Sequence, residues 1–365
     1  MTLHIYFARK FLMAFLALLA IFLVFLFLLE LVEEIRRYDS DAVGLREAVM
    51  LTALSTPRTL YEFLPLVMIL TTLALFLGLA RSSELVVTRA AGRSGMRAVV
   101  APFLTALLIG GIAVAVVNPI VAATSKRYDI LSAGYKSGVE SVFSISREGL
   151  WLRQGSADGQ TVIRATSANP DGSELYGVSF LTFSPSGSPV RRIEAGAARL
   201  QDGYWDLRNA KSWPLAAGVN AELNAETHTS LRVPSSLTQD RIAASVGTPS
   251  AIPIWELPAF IAQLENAGFT ARRHLVWFQT ELARPLFLAA MVLIGAAFTM
   301  RHSRFGRTGI MVLAAVMLAF TLYFVRNFAL IMGENGQIPV LLAAWATPVS
   351  AVLLSLGLIL HMEDG

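Results

Sequence analysis

Phe11-Leu-Met-Ala-Phe-Leu-Ala-Leu-Leu-Ala-Ile-Phe-Leu-Val-Phe-Leu-Phe-Leu-Leu29 contains no charged or polar side chain. At about 1.5 Å per residue it makes a helix about 28 Å long, close to the roughly 30 Å hydrocarbon core of a bilayer. The run follows Arg9 and Lys10, as a secretory leader would, but it is long for one, and no small-x-small cleavage site follows it. It is therefore expected to be an uncleaved membrane anchor. Five further runs have spanning length: Phe63–Ala80, Ala98–Val117, about Leu275–Met300, Thr308 to about Met332, and Ile338–Leu360. Lipid offers no hydrogen bonds to the backbone, so each is expected to be helical. Pro65, Pro102, Pro285 and Pro348 lie in or beside these runs, where neighbouring helices can satisfy the freed carbonyls.

Composition agrees. The 365 residues are 55% hydrophobic and 15% charged, whereas a soluble domain carries about a quarter charged residues. The net charge of +4 comes from cations at the ends of apolar runs and forms no basic stripe, which argues against nucleic-acid binding. The absence of cysteine excludes disulfides, thiolate metal sites and cysteine nucleophiles. Arg9, Lys10, Arg81, Arg89, Arg93, Arg97, Arg301, Arg304 and Arg307 would share one side of the membrane. Only Arg36, Arg37, Arg46 and Arg58 occupy the short loops of the other. This bias implies a multi-pass membrane protein with both termini in the cytoplasm and the long middle segment outside.

That middle segment changes character. It has frequent Gly, Ser and Asp turns and stretches of period two, and no run long enough to span. Val178–Phe183 reads as a strand buried on both faces, and Ala221–His228 as a half-wet one. Ser141–Ser146, Leu150–Gln154, Thr161–Ala165, Val190–Glu194 and Tyr204–Arg208 are further strand candidates. Seven or eight short strands argue for a sandwich or jelly roll. Ile254–Asn266 reads as an amphipathic helix ended by Gly268. The expected fold is thus α-helical in the membrane, three plus three spans, with an inserted all-β, jelly-roll-like periplasmic domain. Its expected parts are residues 1–118, 119–253 and 254–365.

No chemistry of hydrolysis is visible. None of Lys10, Lys126, Lys136 and Lys211 completes a phosphate-binding loop, and no H-E-x-x-H or nucleophile elbow occurs. The chain is not expected to be an enzyme or to hold a cofactor. Glu226 and His228 share a strand face, but two ligands suit a solvated face better than a metal. The informative stretch is Arg81-Ser-Ser-Glu-Leu-Val-Val-Thr-Arg-Ala-Ala-Gly92. Ser82 or Ser83 can cap a short helix, about 82–92, with Glu84 beside its positive end and Gly92 closing it. Glu84, Leu85, Thr88 and Arg89 would share a face. An interfacial turn whose arginines meet lipid phosphates and a docking element for a partner both fit.

Residues 55–95 resemble the LptF/LptG family of lipopolysaccharide-export permeases. Pro57, Tyr61, Pro65 and especially Ser83-Glu-Leu-Val-Val-Thr-Arg-Ala-Ala-Gly92 carry the resemblance, which continues through Glu281-Leu-Ala-Arg-Pro-Leu286 and the hairpin Gly333–Pro348. Thr88 departs from the family pattern. The Ser-Glu-Leu-Val-Val run resembles the LptG branch more than the LptF branch, though a paralogous LptF-like subunit remains the nearest alternative. The resemblance implies an ABC transporter permease of the bacterial inner membrane that pairs with an LptF-like paralogue. It also implies a separate dimeric ATPase that binds ATP and Mg and docks on the coupling helix, through Glu84, Leu85, Val86, Thr88 and Arg89. Lipopolysaccharide would enter the cavity from the outer leaflet. The β domain would hand it to a bitopic LptC-like protein and a periplasmic LptA-like bridge.

Arg36 and Arg37 follow the first span and suit bidentate phosphate contact with a lipopolysaccharide head. Glu33 and Glu34 lie within a turn of them, so intrahelical pairing competes. Where the family often has lysine, this chain has Glu30. Arg326 interrupts an apolar run and reads either as a substrate contact or as a snorkelling anchor. Glu281 and Arg284 read as a structural i,i+3 pair. Trp255, Trp277 and Trp345 read as interface anchors. In a different class, a secondary transporter with a soluble insert would need paired intramembrane acids and broken half-helices, which these runs lack.

Overall fold

The computed structural model describes residues 2–37, 44–84, 87, 95–136, 143–146, 149–156, 159–169, 173–185, 187–215, 220–235, 237, 248–300 and 308–364. Six of its helices are long and apolar enough to cross a membrane. In chain order they are α1 (Thr2–Arg37), α2 (Leu45–Arg81), α3 (Gly95–Ile112) continuing into α4 (Asn118–Lys136), then α6 (Arg272–Thr299), α7 (Thr308–Glu334) and α8 (Val340–Asp364). Between the two sets of three come strands β1–β8 and a short helix α5 (Leu257–Asn266).

The helices overrun the apolar runs that define them. α2 begins 18 residues before Phe63, and the third span continues past Asn118 as α4. Hydropathy marks only the lipid-length part of a helix, and the polar turns beyond it stay helical because each residue added to an existing helix is cheap. The compact helical unit accordingly comprises Met1–Leu131, Ser250–Trp255 and Arg272–Gly365. The second unit comprises Ser132–Pro249 and Glu256–Ala271, so α5 belongs with the strands.

α6 is the centre of the helical unit: 78% of its most apolar stretch is buried, against 11% for α1 and 17% for α7. In lipid no hydrophobic force draws helices together, so close approach must come from small residues. Two glycines of this unit permit it. A Cβ on Gly295 of α6 would lie 2.8 Å from Thr72 of α2, and one on Gly110 of α3 would lie 2.5 Å from the Pro285 backbone. Phe7, Phe11 and Phe15, near the start of α1, belong to one buried apolar cluster with Met68 and Phe76.

In the second unit, β1 (Phe143–Ser146), β2 (Gly149–Ser156), β3 (Gly159–Ala165), β5 (Glu174–Phe183), β6 (Pro189–Gln201), β7 (Tyr204–Pro214) and β8 (Glu226–Pro234) lie side by side in sequence order. All are antiparallel, and the two-residue β4 (Ser167–Ala168) also pairs with β5. Among the described strands the order is a meander, without the crossovers of a Greek key. Leu150, Ile163, Phe180, Ile193 and Trp205 are fully buried, and Phe180 meets Trp205 edge to face at 6.2 Å. On β5 only one row, Leu175, Val178 and Phe180, is buried, while Ser179, Leu181 and Phe183 are half-buried. The expectation of burial on both faces is thus corrected. So is the start of the last strand: residues 221–224 form a turn closed by the Asn220 side chain, Leu223 is 83% exposed, and β8 begins at Glu226.

Candidate functional site

α2 ends at Arg81, and the chain then turns through Ser83 at φ 58°, in the left-handed region. This bend returns Glu84 to α1. Its Oε1 and Oε2 accept hydrogen bonds from Lys10 Nζ at 2.8 and 2.9 Å, Oε2 from Tyr6 Oη at 2.9 Å, and Oε1 from Ser82 Oγ at 2.9 Å. The Lys10 ammonium also sits 4.7 Å from the Tyr6 ring centroid. The hydrogen bond from Lys10 holds the Glu84 carboxyl below its ordinary range, with Tyr6 and Ser82 adding to it against the opposing effect of burial. Val87 N–H bonds the Ser83 carbonyl at 3.1 Å, the spacing of an α turn, and the Val87 side chain is exposed. Leu85, Val86, Thr88 and Arg89 lie outside the described residues.

A second polar cluster is buried between α2, α4 and α6. Glu281 Oε2 accepts hydrogen bonds from Tyr61 Oη at 2.5 Å, Arg284 Nε at 3.1 Å and Asn118 Nδ2 at 3.3 Å; Arg284 Nη2 bonds Oε1 at 2.5 Å. The guanidinium stacks 4.0 Å from the Tyr61 ring centroid. Glu281 is wholly buried and Arg284 nearly so. Pro65 explains part of this arrangement. It has no N–H, so the carbonyl four residues earlier loses its helical donor, and Arg284 Nη1 takes that Tyr61 carbonyl at 3.3 Å. A π turn at Ala113–Val117 sets Asn118 in place. Asn118 Oδ1 accepts from Ile254 N–H at 2.9 Å, and the Ala115 carbonyl accepts from Trp255 Nε1 at 3.2 Å. The sequence marks the Glu281–Arg284 pair, but its partners 163 to 223 residues away are not legible there.

Arg37 is engaged within the chain. Its guanidinium bonds Glu33 at 3.0 Å, Glu34 at 3.3 Å and Tyr128 Oη at 2.8 Å. The intrahelical pairing foreseen for it therefore exists, with Tyr128 of α4 as an additional partner. Arg36 is exposed, with no ion pair among the described residues. Arg326 is 7% exposed and turns onto α6, 5.1 Å from the Phe287 ring centroid. The structure does not bring Arg326 into the cleft that Arg37 lines. His228 Nε2 lies 3.5 Å from Glu226 Oε2, and no cluster of three or more metal-ligating groups occurs among the described residues.

The three-plus-three helices around a β insert, with these motifs in place, can be set against known proteins. The family model for "Lipopolysaccharide export system permease LptF/LptG" matches residues 5–361. The chain belongs to the LptF/LptG family. Curated relatives include the lipopolysaccharide export system permease protein LptG of Haemophilus influenzae, 24% identical over 346 residues, covering 92% of this chain and 91% of that protein. The LptG of Escherichia coli K12 is 24% identical over 343 residues, covering 90% of each. As a member of the LptF/LptG family the chain is a transport subunit of a lipopolysaccharide export system, with six membrane helices and a β domain. The motif residues divide in two: Glu84 at the end of α2, and the buried set of Tyr61, Glu281 and Arg284 between helices, with Pro65 freeing the Tyr61 carbonyl.

Proposed function

We propose that this chain is an LptG-type permease subunit. It extracts lipopolysaccharide from the outer leaflet of the inner membrane, using ATP hydrolysed by a separate dimeric subunit docked on the segment after α2. Glu84 carries the reading: an acidic group just past the end of α2, tied to the first span through Lys10 and Tyr6. Movement imposed on that segment has a direct route to α1, whose outward side chains, among them Leu16, Val24 and Leu28, face lipid or a second permease. We assign the paralogous LptF-like subunit to that pairing. Leu85, Val86, Thr88 and Arg89 complete the docking surface. Among the described strands the sheet ends in β1 and β8, each paired on one side, and such edges accept a further strand from an LptC-like or LptA-like partner. Arg36, exposed, is the cation offered to lipopolysaccharide phosphates, with Arg37 beside it and Arg326 reaching them only if the helices part.

The test is co-purification with the ATPase and ATP-driven release from proteoliposomes. Glu84→Arg, which adds repulsion from Lys10, is expected to abolish coupled release while the helices still assemble. Coupled release at the parental rate would remove the docking role. Arg36→Glu with Arg37→Glu is expected to slow release without loss of the ATPase; unchanged release would remove these arginines from the substrate path.

A further inference from the structure

Where α1, α2 and α4 meet, a cleft of about 310 Å³ opens, and its charge is opposite to that expected of a phosphate site. Five carboxylates, Glu30, Glu33, Glu34, Glu62 and Asp129, face only two guanidiniums, Arg37 and Arg58. Both guanidiniums are already paired, Arg37 with Glu33 and Glu34, and Arg58 with Glu62 at 3.2 Å. Glu30 Oε2 is fixed by Ser55 and Thr56 hydroxyls at 2.6 and 3.1 Å.

Two lining atoms stand out from this paired surface. Glu34 is 4% exposed, and only its Oε1 is used, by Tyr128 Oη at 2.7 Å and by Arg37. Its Oε2 has no hydrogen-bond partner among the described residues. Ser125, also 4% exposed and also lining the cleft, has an Oγ with no partner among the described residues. A buried carboxylate oxygen left without a donor is costly, and native structures seldom leave one unanswered. The missing partner is a donor, and the acidic lining favours one that carries positive charge. Among the described residues no three carboxylates converge as metal ligation requires. A primary ammonium, with three N–H donors, suits two acceptors on residues that line one cleft and an anionic surround.

We infer that this cleft binds a primary ammonium group, held by Glu34 Oε2 and Ser125 Oγ and steered by the surrounding acids. The site does not depend on what the chain transports. Two sources carry this chemistry, the ethanolamine head of a membrane lipid and a soluble amine.

The full chain in phosphatidylglycerol nanodiscs is titrated calorimetrically with ethanolamine, spermidine, tetramethylammonium and Mg²⁺. Ethanolamine and spermidine are expected to bind, and Glu34→Gln, which keeps the shape and an acceptor for Tyr128, to weaken both at least tenfold. Ser125→Ala is expected to weaken them several-fold. Tetramethylammonium, which has no N–H, is expected not to bind. Selective retention of phosphatidylethanolamine in mixed nanodiscs, lost in Glu34→Gln, would assign the source to lipid; spermidine binding without lipid preference would assign it to a soluble amine. The inference is overturned if no amine binds, if the Glu34→Gln chain binds amines as the parent does, or if tetramethylammonium or Mg²⁺ binds equally well.

Discussion

Lys10 and Glu84 are 74 residues apart in the chain, yet their charged atoms meet at 2.8 Å, each about one-third exposed. At that exposure an ion pair contributes little to stability, about 0–1 kcal/mol, so its loss should be read in coupling. Lys10→Met is expected to leave thermal unfolding within about 1 kcal/mol of the parent and to lower ATP-driven release several-fold; parental release would show that the link transmits nothing. The tie forms with a carboxyl whose titration lies below the ordinary range, so its contribution is present above that range and is lost only as pH falls through the lowered value. A distance probe between α1 and residue 82 should therefore read the same from pH 8 to pH 6. Glu281 behaves oppositely. It is fully buried with Arg284, so Glu281→Ala leaves a buried, uncompensated guanidinium, at a cost of about 3–5 kcal/mol. A large drop in unfolding temperature is expected, and Glu281→Gln should recover part of it because Tyr61 and Asn118 keep an acceptor. Of these two clusters, the sequence shows Glu84 and the Glu281–Arg284 spacing. It does not show Lys10 as the partner, because Lys10 sits at the mouth of a span where positive charge is expected for topological reasons alone.

At the scale of elements, hydropathy locates all six spans, because lipid length and backbone satisfaction leave few other solutions. It fails at their ends. Leu45–Glu62 contains Arg46, Glu47, Arg58 and Glu62, and reads as a loop by composition, yet it is the first half of α2. Tertiary contact overrides the pattern here: Ala48 and Leu51 pack against Leu31 and Leu131, and Thr52 and Thr56 bond carbonyls of their own helix. The strands are legible by period two, but the second face of β5 is not, because Leu181 and Phe183 are apolar and only half-buried. Pro65 is the instructive case. Its lost N–H implies an orphan carbonyl at Tyr61, and i−4 arithmetic finds that orphan in the sequence, but only the fold reveals Arg284 as its donor. Close helix packing yields a further expectation. A side chain on Gly295 would collide with Thr72, so Gly295→Leu should separate α2 from α6 and lower assembly in detergent, whereas Gly78→Ala, with open space around it, should not. Equal effects of the two would remove the close approach as the cause.

For the whole molecule, direction in the membrane follows from charge counted over short loops. Cations gather beside α1's start and between the helices of each hairpin on one side, and anions and few arginines occupy the other. Such a bias is set during insertion, when moving a cation across costs energy, and a long folded segment escapes the rule. The chain has no cysteine, so single thiols can be placed without background. Leu223 is 83% exposed in the turn before β8, Gln337 is exposed between α7 and α8, and Ser82 is exposed at the end of α2. Burial therefore cannot mimic protection at any of them. A membrane-impermeant thiol reagent applied to intact cells with a permeabilised outer membrane is expected to label Leu223→Cys and Gln337→Cys. It should label Ser82→Cys only after the inner membrane is opened. Labelling of Ser82→Cys in intact cells would place the Lys10–Glu84 tie outside, beyond reach of any ATP-hydrolysing partner, and the coupling role would fall even if lipopolysaccharide export by the complex stood.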